Sequence, residues 1–137
     1  MKSLAGLFLL VLLPMVSLAA EPSTVGLALR VDGLRNAKGV VLFSLYNKEG
    51  SIPDEKFERS FRQKKAKIKN GSARVVFRNL PRGRYAVVVL HDENEDGRVQ
   101  KGLLLPLEGV GFSNYSSFGP TERPTFRGAS FLLRRNL

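Results

Sequence analysis

The stretch RYAVVVLH, residues 84–91, is nearly unbroken in apolar and β-branched character, and it limits the possible folds more than any other segment. It is too short for an ordinary helix. Gly83 bounds it in front and the acidic run HDENEDG takes over at its end, so it reads as the central strand of a sheet.

The other segments are patterned to surround such a strand. In TVGLALRVDGL, residues 24–34, Val25, Leu27, Leu29 and Val31 alternate with Gly26, Ala28, Arg30 and Asp32, a strand with one buried face. VVLFSLY, residues 40–46, is predicted to pair with it across a turn at Asn36, Lys38 and Gly39. Residues 47–58 are irregular, with Pro53 placed to open a short helical turn over 54–57. RSFRQKKAKIK, residues 59–69, is dense in Arg and Lys, and Phe61, Ala66 and Ile68 do not share one parity. An edge strand, a bulge, or order only near the end of the segment is expected there, and lysines that discourage sheet-to-sheet association compete with a binding role for the same charges.

Asn70-Gly71 is a tight-turn signal, predicting a hairpin into residues 73–78. Leu80-Pro81-Arg82-Gly83 turns again, and the following Tyr85 is placed to pack at a corner between sheets. A last strand over 129–135 sets Phe131 and Leu133 on one face. The total, about seven strands, predicts an all-β, two-sheet antiparallel Greek-key sandwich, and the spacing Phe77, Leu80, Pro81, Gly83, Tyr85 resembles the strand-turn-strand unit of immunoglobulin-like and transthyretin-like sandwiches.

The N-terminus is set apart from this domain. Lys2, the apolar run 4–16 and Ser17-Leu18-Ala19 have the form of a secretory signal peptide, residues 1–19, leaving a single β-sandwich domain over 20–137. The run is interrupted by Pro14 and is shorter than a spanning helix, so no transmembrane segment is expected after cleavage. A periplasmic or secreted location is expected. The chain has no Cys, which excludes a lipid-anchored cysteine, disulfides, thiol catalysis and thiolate metal sites.

The formal net charge is +10, and loss of Lys2 lowers it by one. An exported basic domain is expected to meet anionic envelope components or acidic proteins rather than nucleic acid, the competing reading being that the excess charge only maintains solubility.

Chemistry is expected in residues 91–114, HDENEDGRVQKGLLLPLEGVGFSN. Asp92, Asn94, Asp96 and Gly97 match the first half of a calcium loop, in which alternate oxygens aim at one centre and the carbonyl of Arg98 joins them. The second half is missing, since Gln100 and Leu103 stand where ligands are expected. Glu108 is the first candidate for a distant carboxylate ligand, making Asp92, Asn94, Asp96, Arg98 and Glu108 the candidate Ca2+ set. The competing reading is a plain turn, because Asp and Asn side chains bond their own backbone.

His91 stands beside Asp92 and Glu93, a placement that suits either a pH-sensitive group or a hydrogen-bonded strand end. Ser113 lacks the G-x-S-x-G elbow, and neighbours in a strand point to opposite faces, so Ser113, His91 and Asp92 make a poor triad. Phe112, Tyr115 and Phe118 read as rings folded over a sheet end.

Leu80-Pro81-x-Gly83-x-Tyr85-Ala86-Val87, His91-Asp92-Glu93-Asn94, Pro106-x-Glu108-Gly109-x-Gly111-Phe112-Ser113-Asn114 and Pro124-x-Phe126-x-x-Ala129 together resemble the bacterial exported family called domain of unknown function 2141. The resemblance implies an envelope or secreted β-sandwich without an assigned activity, and an acidic loop in which relatives often carry a further Asp at the position of Gln100.

The expectation is therefore a non-enzymatic binding or accessory module. Its working surface comprises His91, Asp92, Glu93, Asn94, Asp96, Glu108, Phe112, Ser113 and Asn114, with no cofactor other than a candidate Ca2+. The rival is a small hydrolase or lyase using His91, Asp92 and Glu108. A carrier of an apolar ligand is disfavoured, because so few strands enclose little interior volume.

Overall fold

The computed structural model describes residues 17–100, 108–119 and 121–137. Most of the predicted signal peptide, together with Leu103 and Pro106, lies outside them. The elements in chain order are β1 (Thr24–Val31), β2 (Val40–Tyr46), β3 (Arg62–Ala66), β4 (Ala73–Pro81), β5 (Gly83–Asp92), β6 (Val110–Phe112), α1 (Phe126–Ala129) and β7 (Phe131–Leu133). The strands form an all-β sandwich of two antiparallel sheets. One holds β1 and β4; the other runs β3-β2-β5-β6, with β7 pairing the start of β5.

The predicted pairing of β2 with β1 does not occur: β2 lies between β3 and β5, and β1 pairs with β4. Burial explains the choice. β2 hides Val41, Phe43 and Leu45 on one face and Leu42, Ser44 and Tyr46 on the other, which only an interior position in a sheet covered on both sides allows. β1 keeps Arg30 exposed and so suits the outer, two-stranded sheet.

The predicted hairpin at Asn70-Gly71 is also only local. Both residues take the left-handed φ (51° and 74°) of a tight hairpin turn, and a single bridge joins Lys69 to Ser72. Pairing stops there, because Ile68 turns into the inter-sheet core and β4 continues in the other sheet. The helical turn expected over 54–57 is absent, since Phe57 adopts a left-handed φ of 56° that no helix continues through. A helical turn forms instead at α1, where the Thr125 hydroxyl accepts from the Gly128 amide at 3.1 Å.

The larger sheet is covered on both faces. Its inner face packs Phe43, Leu45 and Val87 against Leu27, Val75 and Phe77. Its outer face packs Leu42, Val88 and Leu90 under Ile52, Phe57, Phe126 and Ala129. Each fully buried aromatic contributes roughly 1.5–3 kcal/mol. Tyr85 sits at the predicted corner, buried, its hydroxyl donating to the Pro81 carbonyl at 2.6 Å.

The edges are closed in two ways. The C-terminal residues lie along β1, with Ala28 N–H donating to Leu137 O and Leu137 N–H to Gly26 O. On the opposite side, β3 and β4 belong to different sheets, and side chains bridge the seam: Arg62 donates to the carbonyls of Arg78 and Asn79, and Lys64 to that of Val76.

Candidate functional site

β5 carries the chain to the rim of the sandwich and ends with His91 and Asp92 on opposite faces. His91 is buried on the inner side, and its Nε2 lies 2.8 Å from the Lys38 carbonyl. A carbonyl only accepts, so Nε2 carries the proton and the ring serves as a strut between β5 and the β1–β2 connection. Nδ1 is 3.9 Å from Glu93 Oε1.

Asp92 is fully buried on the other side and organises the loop after it. Its Oδ1 accepts from the Asp96 amide at 3.1 Å and its Oδ2 from the Gly97 amide at 2.8 Å. Asn94 Oδ1 also accepts from Asp96 N–H, and Asp96 Oδ1 accepts from Arg98 N–H, two successive side-chain turns. Gly97, with φ of 71°, presents its amide to Asp92 from a left-handed conformation.

Glu108 enters from beyond the loop. It is buried, with Oε1 accepting from Glu93 N–H at 3.0 Å and Oε2 from Gln100 N–H at 3.4 Å. Carboxylate oxygens of Asp92, Asp96 and Glu108 thereby all lie within 4.8 Å of one another, and His91 is outside this group. Of the candidate ligands, three are brought together, while Asn94 donates its Nδ2–H to Asp96 Oδ2 at 3.1 Å.

The donor set fits a hard cation. Each carboxylate oxygen keeps a second lone pair beside the amide it accepts from, and no nitrogen or sulfur ligand intrudes.

The remaining expected residues belong to a different construction. Ser113 Oγ accepts from Val87 N–H at 2.9 Å and donates to Ala129 O at 2.6 Å. Asn114 donates through Nδ2 to the carbonyls of Gly128, Ala129 and Ser130, closing the end of α1. Ser113 is aligned with Val87, about 13 Å along β5 from His91, so the two never meet. Phe112 packs edge-to-face on Tyr115 and Phe118, as covering rings.

Several supporting residues look unremarkable in the sequence. Arg35 and Asn36 both donate to Glu93 Oε1, and the bond from Arg35 is the chief cause holding the Glu93 carboxyl below its ordinary range. Gly39 has φ of 67° and lies against the loop backbone: a β-carbon there would stand 2.7 Å from Glu93 Cα and closer still to the Asp92 carbonyl. The turn signal at Asn36, Lys38 and Gly39 was legible, but its role as a buttress depends on the fold. Val99 N–H donates to Glu55 O, tying the far side of the loop to the irregular excursion. Beside His91, a cavity of about 300 Å³ opens between Leu34, Val89 and Gly109–Gly111.

No helix among the described residues is long and apolar enough to cross a membrane. No curated protein and no solved structure matches the chain. A family of bacterial proteins described as "Uncharacterized protein conserved in bacteria (DUF2141)" matches residues 29–136, a span that takes in the acidic loop, its Arg35–Gly39 buttress and the Ser113–Asn114 closure. The chain belongs to that family.

Proposed function

We propose that the protein is an exported, non-catalytic binding or accessory module of the bacterial envelope, with residues 91–114 as its working surface, a Ca2+ ion ordering the acidic loop and an anionic envelope component as its partner. The observation that carries the loop assignment is the convergence of Asp92, Asp96 and Glu108 within 4.8 Å. Two of these carboxylates are buried, and among the described residues neither forms an ion pair with Lys or Arg. Three close carboxylates repel one another, and a hard divalent cation relieves that repulsion. The Arg98 carbonyl and water would complete the shell.

The basic excess of the chain supports an anionic partner. The hydrolase or lyase reading requires a free His91, whereas its Nε2–H is committed to Lys38 O.

Calorimetry and thermal melting with millimolar CaCl2 test the loop assignment. Saturation at tenfold above Kd stabilises by about 1.4 kcal/mol, a rise in Tm of roughly 6 °C. Glu108→Gln abolishes the shift. Absence of heat and of any shift in the wild type contradicts the reading.

A further inference from the structure

The seam between β3 and β4 is bridged at one end by Arg62 and Lys64 and opens at the other into a groove of about 490 Å³. Arg30, Lys65, Lys67, Lys69 and Arg74 line it, and no acidic residue does. Arg30 on β1 stands directly opposite Arg74 on β4 in the sheet register. Like charges facing each other across a strand pair are unfavourable by themselves. Edge protection accounts for charge on β3 and β4, each at a sheet edge, but not for Arg30, since the edge of β1 is covered by the C-terminal residues. One carboxylate relieves the cluster: Asp32 Oδ1 accepts from Arg30 Nε at 2.8 Å. Among the described residues Lys65, Lys67, Lys69 and Arg74 have no ion-pair partner.

We infer that this groove binds a phosphate-bearing oligoanion. The inference deepens the proposal of an anionic partner and rests on it. Guanidinium groups grip phosphate oxygens through paired N–H donors, and the lysine ammoniums add point charges around them. Charge density selects phosphate over carboxylate: a phosphate group carries up to two charges in one compact tetrahedron. A glycan bearing single carboxylates spreads the same charge over several rings. The phosphates can come from lipid headgroups or from a free oligophosphate, and both present the same chemistry.

The test uses the purified chain with sodium tripolyphosphate by calorimetry and with vesicles containing phosphatidic acid or only phosphatidylcholine by co-sedimentation. Tripolyphosphate binding that weakens about tenfold between 50 and 300 mM NaCl supports the site. Arg30→Gln/Arg74→Gln is expected to lower affinity at least about tenfold, and Lys65→Gln/Lys67→Gln/Lys69→Gln provides a second variant that leaves the strand pair intact. The comparison variant Arg134→Gln/Arg135→Gln removes equal charge from the C-terminal end and is expected to change affinity less than about twofold.

Groove-dependent binding to phosphatidic acid vesicles identifies a headgroup source; groove-dependent binding of tripolyphosphate alone identifies a free one. Equal loss in the Arg134/Arg135 variant, or polygalacturonate binding as tightly as tripolyphosphate, preserves an anionic partner and overturns the groove. A wild-type chain that binds no anion at low salt overturns both.

Discussion

The acidic loop and the basic groove are both densely charged, and they treat charge in opposite ways. In the loop, Asp92 and Glu108 are buried and receive backbone amides from Asp96, Gly97, Glu93 and Gln100. In the groove, Lys65, Lys67, Lys69 and Arg74 are exposed, and Arg74 faces Arg30. Charge that is buried and bonded is part of the architecture, and removing it costs stability. Charge that is exposed and opposed by its like costs little to remove, so its removal is read out in binding.

The largest expected effect separates the regions at their supports. Gly39→Ala forces a β-carbon into the loop backbone at a left-handed φ, and destabilisation of about 3 kcal/mol or more is expected in urea unfolding. Gly71→Ala, at a turn with open space around it, is expected to cost about 1 kcal/mol. Equal costs would mean that the β1–β2 connection does not buttress the loop.

Asp92→Ala leaves the Gly97 amide without its acceptor and the Asp96 amide with Asn94 alone, an expected cost of about 1–3 kcal/mol, whereas Arg74→Gln leaves stability within about 0.5 kcal/mol. A cheap Asp92→Ala would make the loop a solvated turn like any other.

Of intermediate size is the corner. Tyr85→Phe loses the bond to Pro81 O, an expected cost of about 1 kcal/mol.

The pH dependence sharpens the comparison with smaller effects. The Glu93 carboxyl is held low, first by its hydrogen bond from Arg35, so its stabilising contribution is present above about pH 4.5 and is lost as pH falls below that value. Arg35→Gln is expected to weaken this acid-side dependence in melting curves taken from pH 3 to 6, the bond from Asn36 remaining. At the other extreme, burial and then Asp54 push the Tyr46 phenol up. The unfolded chain ionises first, so stability falls as pH rises above about 10, and Tyr46→Phe is expected to flatten that alkaline limb.

Faces were more legible in the sequence than neighbours. Residues 40–46 and 84–91 lie in strands as predicted, and the two-sided apolar character of 84–91 marks an interior strand. Tyr85 takes its corner, and the basic segment forms the sheet edge at β3. What alternation does not encode is which strand lies alongside which. Val25 and Leu27 require an inward face, and either β2 or β4 satisfies that requirement; the two-sided burial of β2 decides it only when the whole sandwich is assembled. Asn70-Gly71 likewise specifies a turn without specifying that Ile68 draws the chain into the other sheet.

The site divides along the same line. The local bonds of Asp92, Asn94 and Asp96 follow from spacing, since each partner lies within five residues. Glu108 was nameable only as a distant carboxylate, while Arg35, Lys38 and Gly39 reach the loop from the β1–β2 connection, whose turn is legible locally but whose contacts with the loop are not. Ser113 and Asn114, close in sequence to the acidic segment, close α1 instead, because β6 runs back along β5 and delivers them beside Val87 at its middle.

One titration tests the division of labour most directly. Amide chemical shifts of the 15N-labelled chain are followed with CaCl2 and, separately, with sodium tripolyphosphate. The account predicts that Ca2+ moves the amides of Glu93, Asp96, Gly97 and Gln100 and leaves the groove unchanged, while tripolyphosphate moves those of Arg30, Lys67 and Arg74 and leaves the loop unchanged. Silence of the loop toward Ca2+, or both ligands shifting the same amides, would contradict it.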